Sequence, residues 1–122
     1  MAVRYFLDTY AIVEMVKGNQ NYIKYLDSDC HTTIMNLYEL YFTLLKNFGK
    51  EFAEKHFKML LSLKIELKDE YIPKACDFKL RLHKSNISYV DALGYIIALE
   101  NGFKFLTGDI AFNGLDNVEF VK

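Results

Sequence analysis

The stretch SYVDALGYIIALENGFKFLTGD, running from Ser88 to Asp109, decides how the rest of the chain is read. Ser88 is a good residue to start a helix. Val90, Leu93, Ile96, Ile97 and Leu99 then give that helix apolar contacts on more than one side. Gly102 ends it in the way helices commonly end. Phe103 to Leu106 predicts a short strand, and Thr107-Gly108-Asp109 the turn at its end. One carboxylate, Asp91, falls in the first turn of the helix, and a second, Asp109, follows the next strand. In open α/β sheets, ligands bind outside the carboxyl ends of the strands. The pattern therefore asks which other residues reach the same edge.

Working outward, Ala111 to Asn117 reads as a loop and Val118 to Val121 as a last strand. Towards the N-terminus, Asp69 to Lys84 has helical spacing, with Pro73 tolerated in its first turns. Lys64 to Lys68 (KIELK) alternates like a short strand. Lys50 to Leu63 is a helix. Asn36 to Gly49 is a longer one, apolar nearly all round, which predicts burial on two sides or an interface. Cys30 to Met35 is β-branched and reads as a strand. Asn21 to Leu26 predicts a short helix with Tyr22, Ile23 and Leu26 inward. Thr9 to Val16 is a helix stopped by Gly18, and Ala2 to Leu7 is a buried strand ending at Asp8. Strands alternating with helices imply βαβ units, a mainly parallel central sheet and helices on both faces, a three-layer α/β/α domain.

The 122 residues suit one domain spanning 1–122, and 52% hydrophobic residues can fill its core. One Pro and six Gly argue against a disordered or linker-rich chain. No apolar run approaches the roughly 20 residues needed to cross a bilayer. MAVRYFLD lacks signal-peptide anatomy, so the expected location is the cytoplasm, with no membrane partner. Cys30 and Cys76 have no metal-type spacing and read as small buried thiols in a reducing compartment. The net charge of −1 hides a division: residues 46–84 carry +4 and the remainder −5. An acidic centre flanked by a basic surface suits a polyanion held beside a cation.

Four carboxylates stand out, and each has an ordinary explanation. Asp8 can cap the helix that follows it. Glu39 is three residues after Asn36, and Asp91 three after Ser88, both in capping-box spacing. Asp109 can be a turn residue. Taken together, two follow strands and two open helices, so all four can converge on one sheet edge. Carboxylates gathered in one cleft repel and raise one another's pKa, which a divalent cation relieves. All-oxygen ligation favours Mg²⁺ or Mn²⁺, ions that activate water and neutralise a phosphodiester transition state. His31, His56 and His83 share no ligand spacing and read as solvated or core-edge residues. Ser88 reads as a cap, with no partner that would make it a nucleophile.

Nearly the whole chain resembles the PIN-domain ribonucleases, and within them the VapC-type toxins of type II toxin–antitoxin pairs. The resemblance rests on FLDTYAIVE around Asp8, TTIMNLYEL around Glu39, SYVDALGYIIALENG around Asp91 and FKFLTGDIAFNGL around Asp109. It implies a PIN-like fold and a Mg²⁺- or Mn²⁺-dependent endoribonuclease. Asp8, Glu39, Asp91 and Asp109 would form the catalytic site. Asp8, Asp91 and Asp109 would hold metal, with Glu39 completing the site or positioning water. Thr107, and Thr9 with it, would support the acids. Implied partners are an RNA substrate, a small antitoxin lying near the aromatic helix and masking the cleft, and a second copy in a homodimer. Lys46, Lys50, Arg81 and Lys84 are candidates for RNA phosphate contacts. Two positions depart from the family pattern. Ala111 stands where many relatives carry a further Asp, and Tyr10 where many have a small hydroxyl residue. Two other classes stay open. One is a catalytically silent PIN-fold binding module. The other is a phospho-receiver domain, which would need an acidic pair where Asp8 stands alone and a Lys after Leu106.

Overall fold

The structure, a computed structural model, describes residues 2–122. Four strands form one sheet: β1 (Arg4–Leu7), β2 (Asp29–His31), β3 (Lys104–Thr107) and β4 (Val118–Phe120). Their order is β2-β1-β3-β4, and every neighbouring pair is parallel. Five α-helices connect them: α1 (Thr9–Val16), α2 (Ile34–Phe48), α3 (Lys50–Leu60), α4 (Tyr71–Arg81) and α5 (Tyr89–Asn101). This is the three-layer α/β/α architecture with a parallel sheet expected from the alternation.

Adjacent residues of the central strands divide the core. Side chains alternate across a sheet, so Phe6 and Phe105 point to one face and Leu7 and Leu106 to the other. Phe6 and Phe105 pack with α4, α5 and Phe112. Leu7 and Leu106 pack with Ala11 and Ile12 of α1, Leu37, Leu40 and Leu44 of α2, and Ala53 of α3. A strand buried on both faces must read as a continuous apolar run, which is why YFL and KFLT carry no alternation.

α5 is buried over seven consecutive residues, Ala92 to Ala98. It lies so close to the sheet that a methyl group on Gly94 would stand 2.7 Å from Phe6 Cε1. Gly94 is therefore required by close approach, and the approach brings the first turn of α5 down onto the sheet's carboxyl edge.

Several boundaries differ from the sequence expectation. β2 stops at His31, and α2 starts two residues before Asn36, capped by Thr33, whose hydroxyl accepts from the Asn36 amide at 3.2 Å. The β-branched run CHTTIM is thus divided between strand, cap and helix, because Thr fills a cap as readily as a strand. KIELK is not a strand of the sheet; it makes a single bridge, Lys64 beside Thr32. Leu61–Leu63 and His83–Ser85 are 3-10 turns that end α3 and α4 early. Ile23–Tyr25 is likewise one 3-10 turn, with Tyr22 and Tyr25 buried while Ile23 and Leu26 are exposed. α2 buries one face only, leaving Ile34, Tyr38, Phe42, Leu45 and Phe48 exposed. Cys30 is half-buried, Cys76 is exposed, and both are free thiols. No helix among the described residues is long and apolar enough to cross a membrane.

Candidate active site

From β1 the chain turns back to β2 on one side, while β3 lies on the other. That reversal opens a crevice at the carboxyl ends of β1 and β3. Asp8 is the first residue past β1 and is almost fully buried, at 1% exposure. Its Oδ1 accepts from the Ala11 amide at 2.8 Å, which makes it the N-cap of α1. Its Oδ2 accepts from the Thr107 hydroxyl at the end of β3. The Thr107 oxygen in turn accepts from the Asp109 amide at 3.0 Å, so one hydroxyl ties the ends of both strands together.

The other three acids are half-buried around Asp8. Asp91 sits in a complete capping box with Ser88: Ser88 Oγ accepts from the Asp91 amide at 3.1 Å, and Asp91 Oδ2 accepts from the Ser88 amide at 3.4 Å. Asp109 caps a 3-10 turn, Ile110–Phe112, by accepting from the Ala111 amide at 3.0 Å. Glu39 is not a cap, since Thr33 starts its helix. Its Oε1 accepts from the Thr9 hydroxyl at 2.6 Å. The ordinary explanation therefore holds for three of the four acids and fails for Glu39.

Capping and convergence coexist. Burial pushes the Asp8 carboxyl up from 3.8 to about 7, against the lowering pull of Thr107 and Ala11, and the charges of Asp91 and Asp109 add to the rise. Burial also raises Asp91, helped by the charges of Asp109 and Glu39 and opposed by its bonds to Ser88. Asp8 thus feels the charges of Asp91 and Asp109, and Asp91 those of Asp109 and Glu39. Thr9 and Thr107, expected as supporting residues, do touch acids: Thr107 holds Asp8 and Thr9 holds Glu39.

Asn36 is a site residue that sequence reasoning missed. Read as a helix cap, it is instead fully buried. Its Nδ2 donates to Thr9 Oγ1 at 3.1 Å, and its Oδ1 accepts from Thr33 Oγ1 at 2.6 Å. Thr33, Asn36, Thr9 and Glu39 form one chain of hydrogen bonds that sets the Glu39 carboxylate. A polar residue three positions before Glu39, on its own helix, was the available signal. Asn36→Ala is expected to destabilise the fold by about 2 kcal/mol, because it removes the buried acceptor of the Thr33 hydroxyl and the amide donor to Thr9. A urea midpoint unchanged from wild type would remove Asn36 from this role.

Lys46 is exposed near the end of α2, and Lys50 opens α3, where it faces Glu54 at 3.9 Å. Arg81 is exposed as the last residue of α4, and Lys84 is exposed in the 3-10 turn that follows. Tyr10, the unusual neighbour of Asp8, packs its ring over Gly108, where a methyl group would lie 2.1 Å from Tyr10 Cε1. The large ring fills the space beside the Thr107–Asp109 turn.

The donors present, carboxylates backed by hydroxyls, suit an oxygen-ligated divalent cation. A cation beside Asp8 would offset the cost of burying its charge and the smaller repulsion from Asp91 and Asp109. Among the described residues, no three His, Cys, Asp or Glu side chains are yet arranged to hold an ion. Each acid accepts from its own donor, namely Ala11 and Thr107, Thr9, Ser88, or Ala111.

A family model described as the PIN domain matches residues 5–118. Three solved structures share the fold. A toxin–antitoxin complex from Klebsiella pneumoniae is 14% identical with a TM-score of 0.75, covering 94% of this chain and 95% of that one. VapC20 of Mycobacterium tuberculosis, a toxin that cleaves the sarcin–ricin loop, is 17% identical with a TM-score of 0.75, covering 93% and 98%. VapBC2 of Rickettsia felis, bound to a DNA fragment from its promoter, is 19% identical with a TM-score of 0.73, covering 98% of each chain. Compared by sequence with curated proteins, the chain finds no match. The phospho-receiver alternative is overturned by the family match. With that match running from β1 to the first residue of β4, across all four acids of the crevice, this chain belongs to the PIN domain family.

Proposed function

We propose that this protein is a divalent-metal-dependent endoribonuclease, the toxin of a VapC-type toxin–antitoxin pair. The observation that carries the reading is the buried, charge-crowded Asp8 at the β1–β3 crevice, with Asp91 and Asp109 in electrostatic reach. Asp8, Asp91 and Asp109 would hold Mg²⁺ or Mn²⁺. When bound, the ion supplies neutralisation of the phosphodiester charge and a lowered pKa for water. Glu39, fixed by Thr9 and Asn36, positions a water and accepts its proton. Thr107 keeps Asp8 aimed by occupying one of its oxygens. The family match supports a nuclease, and two of the structural neighbours are described as toxins or toxin–antitoxin complexes.

The implied antitoxin would lie along α2 and mask the crevice; Ile34, Leu45 and Phe48, exposed on that helix, support a partner there. A homodimer and a cytoplasmic location complete the reading. A second reading, the silent binding module, is favoured by Ala111, which leaves Asp109 as the one acid of its turn.

The test is cleavage of a structured RNA pool with Mn²⁺, with chelator, and by Asp91→Asn. Metal-dependent cutting that falls about a thousandfold in the variant is expected, since such an ion is worth several kcal/mol of transition-state stabilisation. Asn36→Ala should cut about 100-fold more slowly, because a displaced Glu39 carboxylate no longer places the water. Absence of both cutting and metal binding would leave the silent module as the reading.

A further inference from the structure

The acidic crevice continues onto α2. Tyr38 and Phe42 are one helical turn apart and remain 69% and 63% exposed. With Thr9, Glu39 and Thr43 they line a concavity of about 400 Å³. Thr9 and Glu39 are also members of the acidic site, so this hollow is an extension of it rather than a separate surface. One turn beyond Phe42 stands Lys46, exposed and without an ion pair among the described residues. Two rings and a cation therefore follow one another along about 12 Å of helix, starting beside Glu39.

We propose that Tyr38 and Phe42 are a stacking shelf for unpaired bases of the RNA strand entering the crevice, with Lys46 meeting its backbone. This deepens the ribonuclease reading and rests on it. Aromatic faces hold bases of any identity by stacking, and a neighbouring cation tracks the phosphates. Paired bases inside an A-form duplex cannot be reached this way, so the substrate class is an unpaired loop or single strand. The polar parts of the hollow favour RNA over an apolar helix. The Thr43 hydroxyl and the second oxygen of Glu39 offer hydrogen bonds to base edges, whereas an apolar partner would have to desolvate them without return. The exposed rings contribute little to the core, so removing them leaves the fold intact.

The probe is an RNA hairpin with 2-aminopurine in its loop, titrated in Asp91→Asn protein so that it stays uncut. A blunt duplex carrying the same base serves as the comparison. Loop fluorescence should be quenched on binding, with the duplex unaffected. Tyr38→Ala and Phe42→Ala should each weaken loop binding about tenfold and reduce the quenching. Tyr38→Phe should keep both, because the ring and not the hydroxyl is used. Equal binding of loop and duplex, or loop binding unchanged when both rings are removed, overturns the shelf. So does a double variant that binds RNA normally but loses a partner protein, which would assign the face to that partner. The nuclease reading is scored separately. Metal-dependent cutting lost in Asp91→Asn but unaltered by the ring variants sinks the shelf and leaves the ribonuclease standing. A wild-type protein that neither cuts nor binds RNA overturns both.

Discussion

Asp8→Asn is expected to abolish RNA cleavage and, at the same time, to make the protein more stable above pH 7. The carboxyl of Asp8 is raised from 3.8 in the open chain to about 7 in the fold, chiefly by burial. Between those values the folded state binds more protons than the unfolded one, so wild-type stability falls as pH rises through that window and is flat above it. The full penalty is at most about 4 kcal/mol at pH 8, at 1.36 kcal/mol per unit. Asparagine carries no charge and can still accept from the Ala11 amide. Its other end is an amide nitrogen, which cannot accept from Thr107, so part of the gain is returned. A net stabilisation of about 2 kcal/mol at pH 8, vanishing by pH 4, is expected in denaturant melts. Asp91, also raised, acts in the same direction in the wild type. Mn²⁺ should raise the melting temperature of the wild type and leave that of Asp8→Asn unchanged, since only a protein that binds the ion is stabilised by it. A variant no more stable at pH 8 than at pH 4, relative to wild type, would show that Asp8 carries no such burden.

The second large effect is expected from Gly108→Ala. The added methyl group would stand 2.1 Å from Tyr10 Cε1 and 2.5 Å from the Val121 carbonyl oxygen. The ring can shift, but the carbonyl belongs to backbone held by Val121 N, which donates to the Thr107 carbonyl at 2.9 Å. The turn must therefore move, and with it Thr107 and Asp109 on either side. A loss of about 3 kcal/mol in stability is expected, together with loss of cleavage. Adding Tyr10→Ala to Gly108→Ala should restore part of the stability and little of the activity, because the clash with Val121 remains. A single variant within 0.5 kcal/mol of wild type would sink the claim that the turn is closed against these groups.

Much of the architecture was written in local sequence. The apolar runs of β1 and β3 predicted a sheet buried on both faces, because such a strand cannot afford polar alternation. Ser88, Asp91 and Gly102 marked the ends of α5 correctly, since capping depends on residues a few positions apart. Thr9 to Val16 was legible for the same reason. Local signals failed where one residue type serves two elements. Thr32 and Thr33 could continue a strand or end it, and only the bridge from Thr32 to Lys64 and the cap from Thr33 to Asn36 decided it. KIELK alternated like a strand, but the sheet was already bounded by β2 and offered it one bridge.

The sequence by itself determined which four acids exist, their order, and that each lies near the end of a strand or the start of a helix. It could not determine that they meet. Asp8 and Thr107 are 99 residues apart, and Thr9 and Glu39 are 30 apart. Those bonds form only because β1 and β3 pair in parallel and α2 packs on the Leu7 face. Tertiary structure alone decided that Asp8 is buried, which makes its charge costly, and that Glu39 has no cap to serve. It also gave Asn36 a side-chain bond to Thr9 on the neighbouring helix, a role no local pattern could announce.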